Sequence, residues 1–395
     1  MTRGAGVLGE YDVRRAARRG ERFLYVGAGT VVSPSARDVA QQFSIELRPG
    51  SPPPSGVAGV DHGRAVQRGL YRRSPRWVAP EPRRGQASVR FSRIAFVGAG
   101  AVGATTAHQA AVVNMADELV LIDVVPGLAA AVALDIEHAS GITGSPTRAR
   151  GSNLVTDVAG AEVIVVTAGR PRTPGMSRAD LAAVNGRVVR DIGTAIASHA
   201  PDAVVIVVTN PVDEMTHELW SASGLPDDRV IGMAGTLDSS RFRNALAAAA
   251  GVQPRDVEAI AIGSHGEDMV PVVSSARIKG RPARDVLRPD AIARCVREAI
   301  DGGAAVVSLR RTGSAFIAPA HGVIELLDAM RGAQAGPVPA SVRLHGEYGI
   351  HGVFLGVPVR LTPTGVGEIN AVALDATELA ALQAAAAAIG SRAGR

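Results

Sequence analysis

Cysteine, aromatic side chains and lysine are all scarce in this chain of 395 residues. Cys295 is the only cysteine, which excludes an intrachain disulfide and any cysteine-built metal cluster. A reducing compartment, the cytoplasm, is the natural reading. Phe, Trp and Tyr make up 3% of residues, so the core must be assembled from Ala, Val, Leu and Ile. Lys279 is the only lysine among 42 basic residues, a bias read as genome base composition rather than function. No apolar run approaches the roughly 18 residues that a membrane span needs. With 46% hydrophobic and 20% charged residues, the composition is that of a globular protein and excludes a wholly disordered one. The length suits two or three domains of roughly 100–200 residues.

The net charge of +5 is unevenly spread. Residues 1–90 carry 16 arginines against 7 acids, and 91–395 carry 26 basic against 30 acidic residues. A basic extension suits nucleic acid, an acidic surface or a transit signal, or is a solvated tail. The segment lacks a secretory pattern, and Glu10, Asp12 and Glu21 count against a transit peptide. The absence of interleaved aromatics in a recognised module counts against nucleic acid. Pro-rich joints at Arg48–Pro54 and Ser74–Arg84 favour extended linkers. Ahead of the first joint Phe23–Val26 and Thr30–Val32 read as strands, and Ser33 as the N-cap of a helix through Ala36–Gln42. The expected organisation is a partly disordered Arg/Pro-rich extension over 1–90, a nucleotide-binding domain over 91–236 and an α+β catalytic domain over 237–395.

From Arg93 onward short apolar strands alternate with helices. The strands are Ile94–Val97, Leu119–Ile122, Val163–Thr167, Val204–Thr209 and Val230–Gly232; the helices are Val102–Val113, Gly127–Ala139, Arg178–Ser198 and Val212–Ser223. Such runs predict a doubly wound, Rossmann-type parallel α/β sheet. After about Asp238 a long helix, short strands and further helices suggest an α+β arrangement.

Val97–Gly103 reads VGAGAVG at a strand-to-helix junction. Gly98 permits the tight turn, Gly100 lets a pyrophosphate approach the backbone, and Gly103 lets helix and strand pack closely. Ala99, Ala101 and Val102 complete the cradle, with the helix start facing the phosphates. A second strand ends at Asp123, twenty residues after Gly103. An acid there accepts ribose hydroxyls and repels a 2′-phosphate, so NAD is expected rather than NADP. Gly27-Ala28-Gly29 repeats the opening of the motif without its continuation, and reads as a turn.

Three further segments leave strand ends. Thr167–Arg178, TAGRPRTPGMSR, is a long polar loop with three arginines, as a lid over an anionic substrate would have. Asn210, in TNP, sits where it can donate a hydrogen bond into the crevice. Asp238 and Arg241 lie three apart on one helix face, and His265 occupies a Gly-flanked turn. Taken singly, each of these has a plain structural explanation.

Together with LVLID, GMAGTLDSSRFR, GSHGEDMVP, TGSAFIAPA and GEYGIHGVFLGVPV, these segments make residues 91–395 closely resemble the NAD-dependent lactate/malate dehydrogenase family. The resemblance is strongest to its lactate-dehydrogenase-like malate dehydrogenases. It implies that His265 exchanges the proton of the substrate's C2 oxygen, with Asp238 holding its imidazole. It implies that Arg241 grips the C1 carboxylate and that Arg178 polarises the carbonyl. Asn210 orients the same oxygen, Asn185 and Val208, Thr209 and Asn210 line the nicotinamide side, and Arg172 sets specificity. Oxaloacetate carries a second carboxylate that Arg172 can pair, where lactate-specific relatives have a neutral amide, so malate is the expected substrate. The alternatives are a lactate or other 2-hydroxyacid dehydrogenase, or a non-catalytic packaged protein. The family's H-G-D reads His265-Gly266-Glu267 here, a departure expected to alter packing only. A homodimer or homotetramer is implied, with no membrane partner, nucleic acid disfavoured and no metal. Thr30–Leu47 resembles a short element near the ends of some bacterial microcompartment-associated proteins, which implies packaging with partner enzymes; the other reading is a leader without function.

Overall fold

The structure is a computed structural model that describes residues 7–18, 22–50, 89–170, 178–311, 313–334 and 336–392. The chain divides into two compact units, Met1–Glu81 and Pro82–Arg395.

In the first unit β1 (Val7–Leu8) pairs in parallel with β3 (Val31–Val32), and β2 (Phe23–Val26) with β4 (Glu46–Pro49). Helices Glu10–Arg18 and Pro34–Gln42 close over a small core of Val13, Ala16, Ala36, Val39, Ala40 and Ile45. Ser33 caps the second helix by accepting the Ala36 N–H at 3.1 Å, with Pro34 in its first turn. Gly27-Ala28-Gly29 is a turn: the Thr30 N–H donates to the Gly27 carbonyl at 3.0 Å, and Gly29 has φ of +87°. The joint Ser74–Arg84 lies outside the described residues.

The second unit is built on one sheet. Its parallel part is β5 (Phe91–Val97), β6 (Ala116–Ile122), β7 (Arg148–Ser152), β8 (Val163–Val166), β9 (Val204–Val207) and β10 (Val230–Gly232), in spatial order β7-β6-β5-β8-β9-β10. The order reverses between β5 and β8, the doubly wound pattern that opens a crevice at the carboxyl ends of the strands. Apart from β7 and the polar starts of β5 and β6, the strands are apolar because both faces are covered. On one face Ile94, Phe96, Val163, Val165, Val204 and Ile206 pack with Ala107, Ala110 and Ala133 of helices Ala101–Val112 and Leu128–Thr143. The residues between them, among them Ala95, Val97, Ile164, Val166 and Val205, pack on the other face with Val189, Ile196 and Leu219 of helices Arg178–His199 and Val212–Ser223.

Beyond β10 the sheet turns antiparallel, while β11 (Val257–Glu258), β14 (Arg277–Ile278) and β15 (Arg281–Pro282) form a small separate antiparallel sheet. β16 (Val338–His345) pairs with β10 at Ser341 opposite Gly232, then β17 (His351–Thr362), β12 (Ala261–Gly263) and β13 (Met269–Pro271) follow, with β18 (Gly365–Ile369) also on β17. Parallel pairing thus ends at β10 and antiparallel pairing begins there with β16. Helix Thr236–Ala250 starts there, and helices Pro289–Arg310, Ile317–Met330 and Ala376–Arg392 cover the rest. Among the described residues no helix is long and apolar enough to cross a membrane.

The strand β7 has no counterpart in the sequence reading. Its residues, RARGS, are polar because it forms the outer edge, and its pairing partner β6 supplies the apolar surface. Gly151 lets it lie against helix Leu128–Thr143: a Cβ there would overlap the backbone of Ala129 and Ala130. Gly151→Ala is therefore expected to destabilise the protein by about 1–3 kcal/mol, the usual range for overpacking. Denaturant unfolding followed by circular dichroism measures this; an unchanged midpoint would mean that the helix shifts without cost.

Candidate active site at the strand ends

The glycine loop follows β5. Gly98 has φ of +110°, and a Cβ on it would lie 2.6 Å from both the Ala168 nitrogen and Thr167 Oγ1. A Cβ on Gly103 would overlap the Gly98 carbonyl oxygen. Packing thus demands the first and third glycines. Around Gly100 there is open space, so its lack of a side chain matters only to something that approaches from outside. Helix Ala101–Val112 begins at this residue with no side-chain cap, which leaves N–H groups at its start for an anion. Ala99 is buried and Ala101 exposed, while Val102 packs against the core.

Asp123 directly follows β6 and is half-buried. Its Oδ2 accepts the Ala99 N–H at 2.8 Å and its Oδ1 the Val125 N–H at 2.9 Å. The carboxylate ties the second strand end to the glycine loop, and a carboxylate has about four lone-pair positions, so ribose hydroxyls can bond to the same group. These residues fit an NAD ligand.

The ends of β8 and β9 are joined by side chains. Thr209 Oγ1 donates to the Ala168 carbonyl at 2.7 Å. Buried Asn185 accepts the Arg170 N–H at 2.8 Å and donates to the carbonyls of Arg170 (3.2 Å) and Asn210 (2.7 Å). Val208 and Thr209 are buried, and Asn210 is exposed at the strand end. Arg172 lies outside the described residues. Arg178 begins helix Arg178–His199, and its side chain also lies outside what the structure describes.

His265 stands on the turn after β12. Its Nδ1 is 2.8 Å from Asp238 Oδ2, and the Arg241 guanidinium donates to Asp238 Oδ1 at 3.1 Å. The Asp238 side chain is 3% exposed, that of His265 15% and that of Arg241 19%. The Asp-x-x-Arg pair is therefore no surface ion pair. It is a buried carboxylate in the first turn of a helix, whose N-terminus favours negative charge, shared between a ring and a guanidinium. Arg241 in turn packs against Gly302 and Gly303, where added Cβ atoms would stand 3.2 Å and 3.4 Å from it.

Burial by itself would raise the Asp238 carboxyl, but the charge and hydrogen bond of His265, then Arg241, outweigh it and hold the group below 3.8. Burial likewise favours a neutral His265; Asp238 and then Asp213 outweigh it and hold the ring above 6.5.

Asp213 is the residue the sequence reading missed. It is fully buried. Its Oδ2 accepts the His265 N–H at 2.9 Å and the Ser264 hydroxyl at 3.0 Å; its Oδ1 accepts the Ser341 hydroxyl at 2.8 Å. Burial pushes its carboxyl up, against the bonds from Ser341 and His265. The available signal was an acid three positions after Asn210 at a helix start. Its partners lie 51 to 128 residues away. Among the described residues no group of three or more His, Cys, Asp or Glu could hold a metal.

The pH dependence of the pair has a definite sign. The raised His265 contributes stability that is complete below 6.5 and is lost as pH rises through its folded value. The depressed Asp238 contributes stability that is present above 3.8 and is lost as pH falls through its folded value. Asp238→Asn is thus expected to lower stability by about 1.5–3 kcal/mol, the worth of a hydrogen bond to a charged group, between pH 3.8 and 6.5. The difference narrows as the histidine deprotonates. Thermal unfolding over a pH series checks it, and a deficit that stays constant into the alkaline range would contradict a charged pair.

Comparison with known proteins identifies the family. Residues 92–232 match the family model for the lactate/malate dehydrogenase NAD binding domain, and 235–392 that for the lactate/malate dehydrogenase alpha/beta C-terminal domain. A malate dehydrogenase of Thermomicrobium roseum is 46% identical over 297 residues, covering 75% of this chain and 96% of that protein. One of Pelodictyon phaeoclathratiforme is 41% identical over 295 residues, covering 75% and 95%. Among solved structures, the malate dehydrogenase of Picrophilus torridus superposes with a TM-score of 0.74 at 34% identity, covering 77% of this chain and 97% of that one. The lactate dehydrogenase of Cryptosporidium parvum with lactic acid and nicotinamide adenine dinucleotide also gives 0.74, at 32% identity, covering 78% and 98%. With both family models matched in order over most of its length, and a shared carboxylate holding a histidine and an arginine beside the glycine loop's sheet edge, the chain belongs to the lactate/malate dehydrogenase family.

Proposed function

We propose that the protein is an NAD-dependent malate dehydrogenase that interconverts malate and oxaloacetate. The observation that carries this reading is the Asp238 carboxylate shared between His265 and Arg241. NAD, when bound along the glycine loop, accepts or supplies the hydride. The Nδ1 side of His265 faces Asp238, which leaves Nε2 as the atom that gives a proton to the carbonyl oxygen or takes it from the alcohol. Asp238 favours the charged form of the ring, the form that gives up a proton in reduction. Arg241 binds the C1 carboxylate through its guanidinium plane, which suits a planar carboxylate better than an ammonium does. Asn210 orients the reacting oxygen. Asn185 acts through the backbone it holds, since its amide bonds to Arg170 and Asn210. Arg178 polarises the carbonyl, and lid closure removes water so that these charges act at full strength.

Charge counting selects the substrate. Pyruvate has one carboxylate for Arg241, and oxaloacetate has a second that Arg172 pairs. The curated relatives named above support malate over lactate. We also infer a homodimer or homotetramer in the cytoplasm, supported by the exposed Leu134 and Ile142 on one helix, and read residues 1–90 as the handle through which microcompartment partners are met.

NADH oxidation with oxaloacetate and with pyruvate, measured side by side, tests the assignment. A large preference for oxaloacetate is expected, and a preference for pyruvate would replace the substrate while keeping the mechanism. Arg172→Gln is expected to reduce kcat/KM for oxaloacetate about 30- to several-thousand-fold, the equivalent of the roughly 2–5 kcal/mol lost with one partner of a buried charge pair. The loss on pyruvate should be far smaller. Equal losses on both would remove Arg172 from the specificity role.

A further inference from the structure

Asp213 plays no part in the proton or hydride steps, yet it touches the turn on which the proton step depends. An ionisable group where solvent does not reach is unfavourable unless donors compensate it. The donors here are particular ones. Two belong to the turn that carries His265, the His265 N–H and the Ser264 hydroxyl. The third, the Ser341 hydroxyl, belongs to β16. Ser341 is itself tightly held: it pairs opposite Gly232, where a Cβ would come 2.8 Å from the Ser341 Cβ.

The turn needs such a hold. Ser264 and His265 stand between Gly263, with φ of +89°, and Gly266, with φ of +120°. Glycine at both ends gives the pair two pivots. The ring contact with Asp238 fixes the imidazole at one nitrogen and leaves the backbone beneath it to be fixed by something else.

We propose that Asp213 is a positioning residue for the reaction, clamping His265 from its backbone side through the His265 amide and the Ser264 hydroxyl, while Ser341 sets the direction of the carboxylate. The inference rests on the reaction assigned under Proposed function. Asp213 lies in the first turn of helix Val212–Ser223, three residues after Asn210. The clamp therefore ties the histidine turn to the helix that follows the strand end presenting Asn210. The charged groups that act on Asp213 are His265, and Glu214 of its own helix; His265 in turn faces Asp238 and Arg241 of helix Thr236–Ala250.

Asp213→Ala removes the acceptor. Asp213→Asn keeps one oxygen for the His265 amide, and Ser341→Ala releases only the far end. The full chain is compared for kcat and KM with oxaloacetate, NADH affinity by fluorescence, and thermal unfolding. The rate at which diethyl pyrocarbonate modifies His265 is also followed by mass spectrometry, with His265→Asn as the blank. Asp213→Ala is expected to lower kcat about ten- to a hundredfold, as misplacement of a reacting group does, with NADH affinity unchanged and His265 modified faster. Asp213→Asn should recover most of the loss. Should Asp213→Ala not fold, lower kcat and faster modification in Ser341→Ala support the clamp, and wild-type values there overturn it. A folded Asp213→Ala with wild-type kcat and modification rate overturns it, as does a joint fall of kcat, NADH affinity and melting temperature in Asp213→Ala and Asp213→Asn alike. If the wild-type chain reduces no 2-oxoacid, the assigned reaction falls, and faster modification of His265 in Asp213→Ala still upholds the clamp.

Discussion

The buried carboxylate of Asp238 is the group on which the rest of the site depends. Alone in the interior it would take up a proton, because burial opposes its charge. With an imidazole on one oxygen and a guanidinium on the other it stays ionised. One group therefore sets both the protonation of the ring and the aim of the arginine. A shared carboxylate also couples the two, so that the imidazole and the guanidinium lie in one fixed frame.

The fold brings that frame to the cofactor cradle by the way the sheet is wound. Parallel strands deliver their loops to one edge, and the reversal between β5 and β8 opens the crevice there. Gly98 and Gly103 are required by backbone contacts that any side chain would violate. Asn185 and Thr209 bind neighbouring strand ends together. The antiparallel extension through β16, β17 and β12 then carries the His265 turn to the same region, where Asp213, at the start of the helix after β9, meets it. A long sheet that changes from parallel to antiparallel thus joins the loops of its first half to a turn of its second.

The parallel part of the sheet was readable because its strands, β7 apart, are apolar over the residues that lie buried between the two helical layers. The exception, β7, is a polar edge whose existence depends on β6 and on the absence of a side chain at Gly151, neither of which marks its own residues as a strand. The Ser33 cap was readable because capping is a local matter of three residues. Asp213 was not, because its three partners sit on a distant turn and a distant strand. Asp238 and Arg241 were visible as a spacing, but a spacing does not distinguish a solvated ion pair from a buried one.

By itself the sequence determined the alternation of strands and helices, the glycine turn with its acid twenty residues on, and the set of side chains able to exchange a proton and bind a carboxylate. These follow from local periodicity, backbone sterics and side-chain chemistry, all written within a few residues of one another. Only the tertiary structure decided that Asp238 is buried and shared, that Asn185 is committed to backbone, and that Asp213 stands beneath His265. Burial and long-range hydrogen bonding are properties of how distant segments pack, and no single segment contains them.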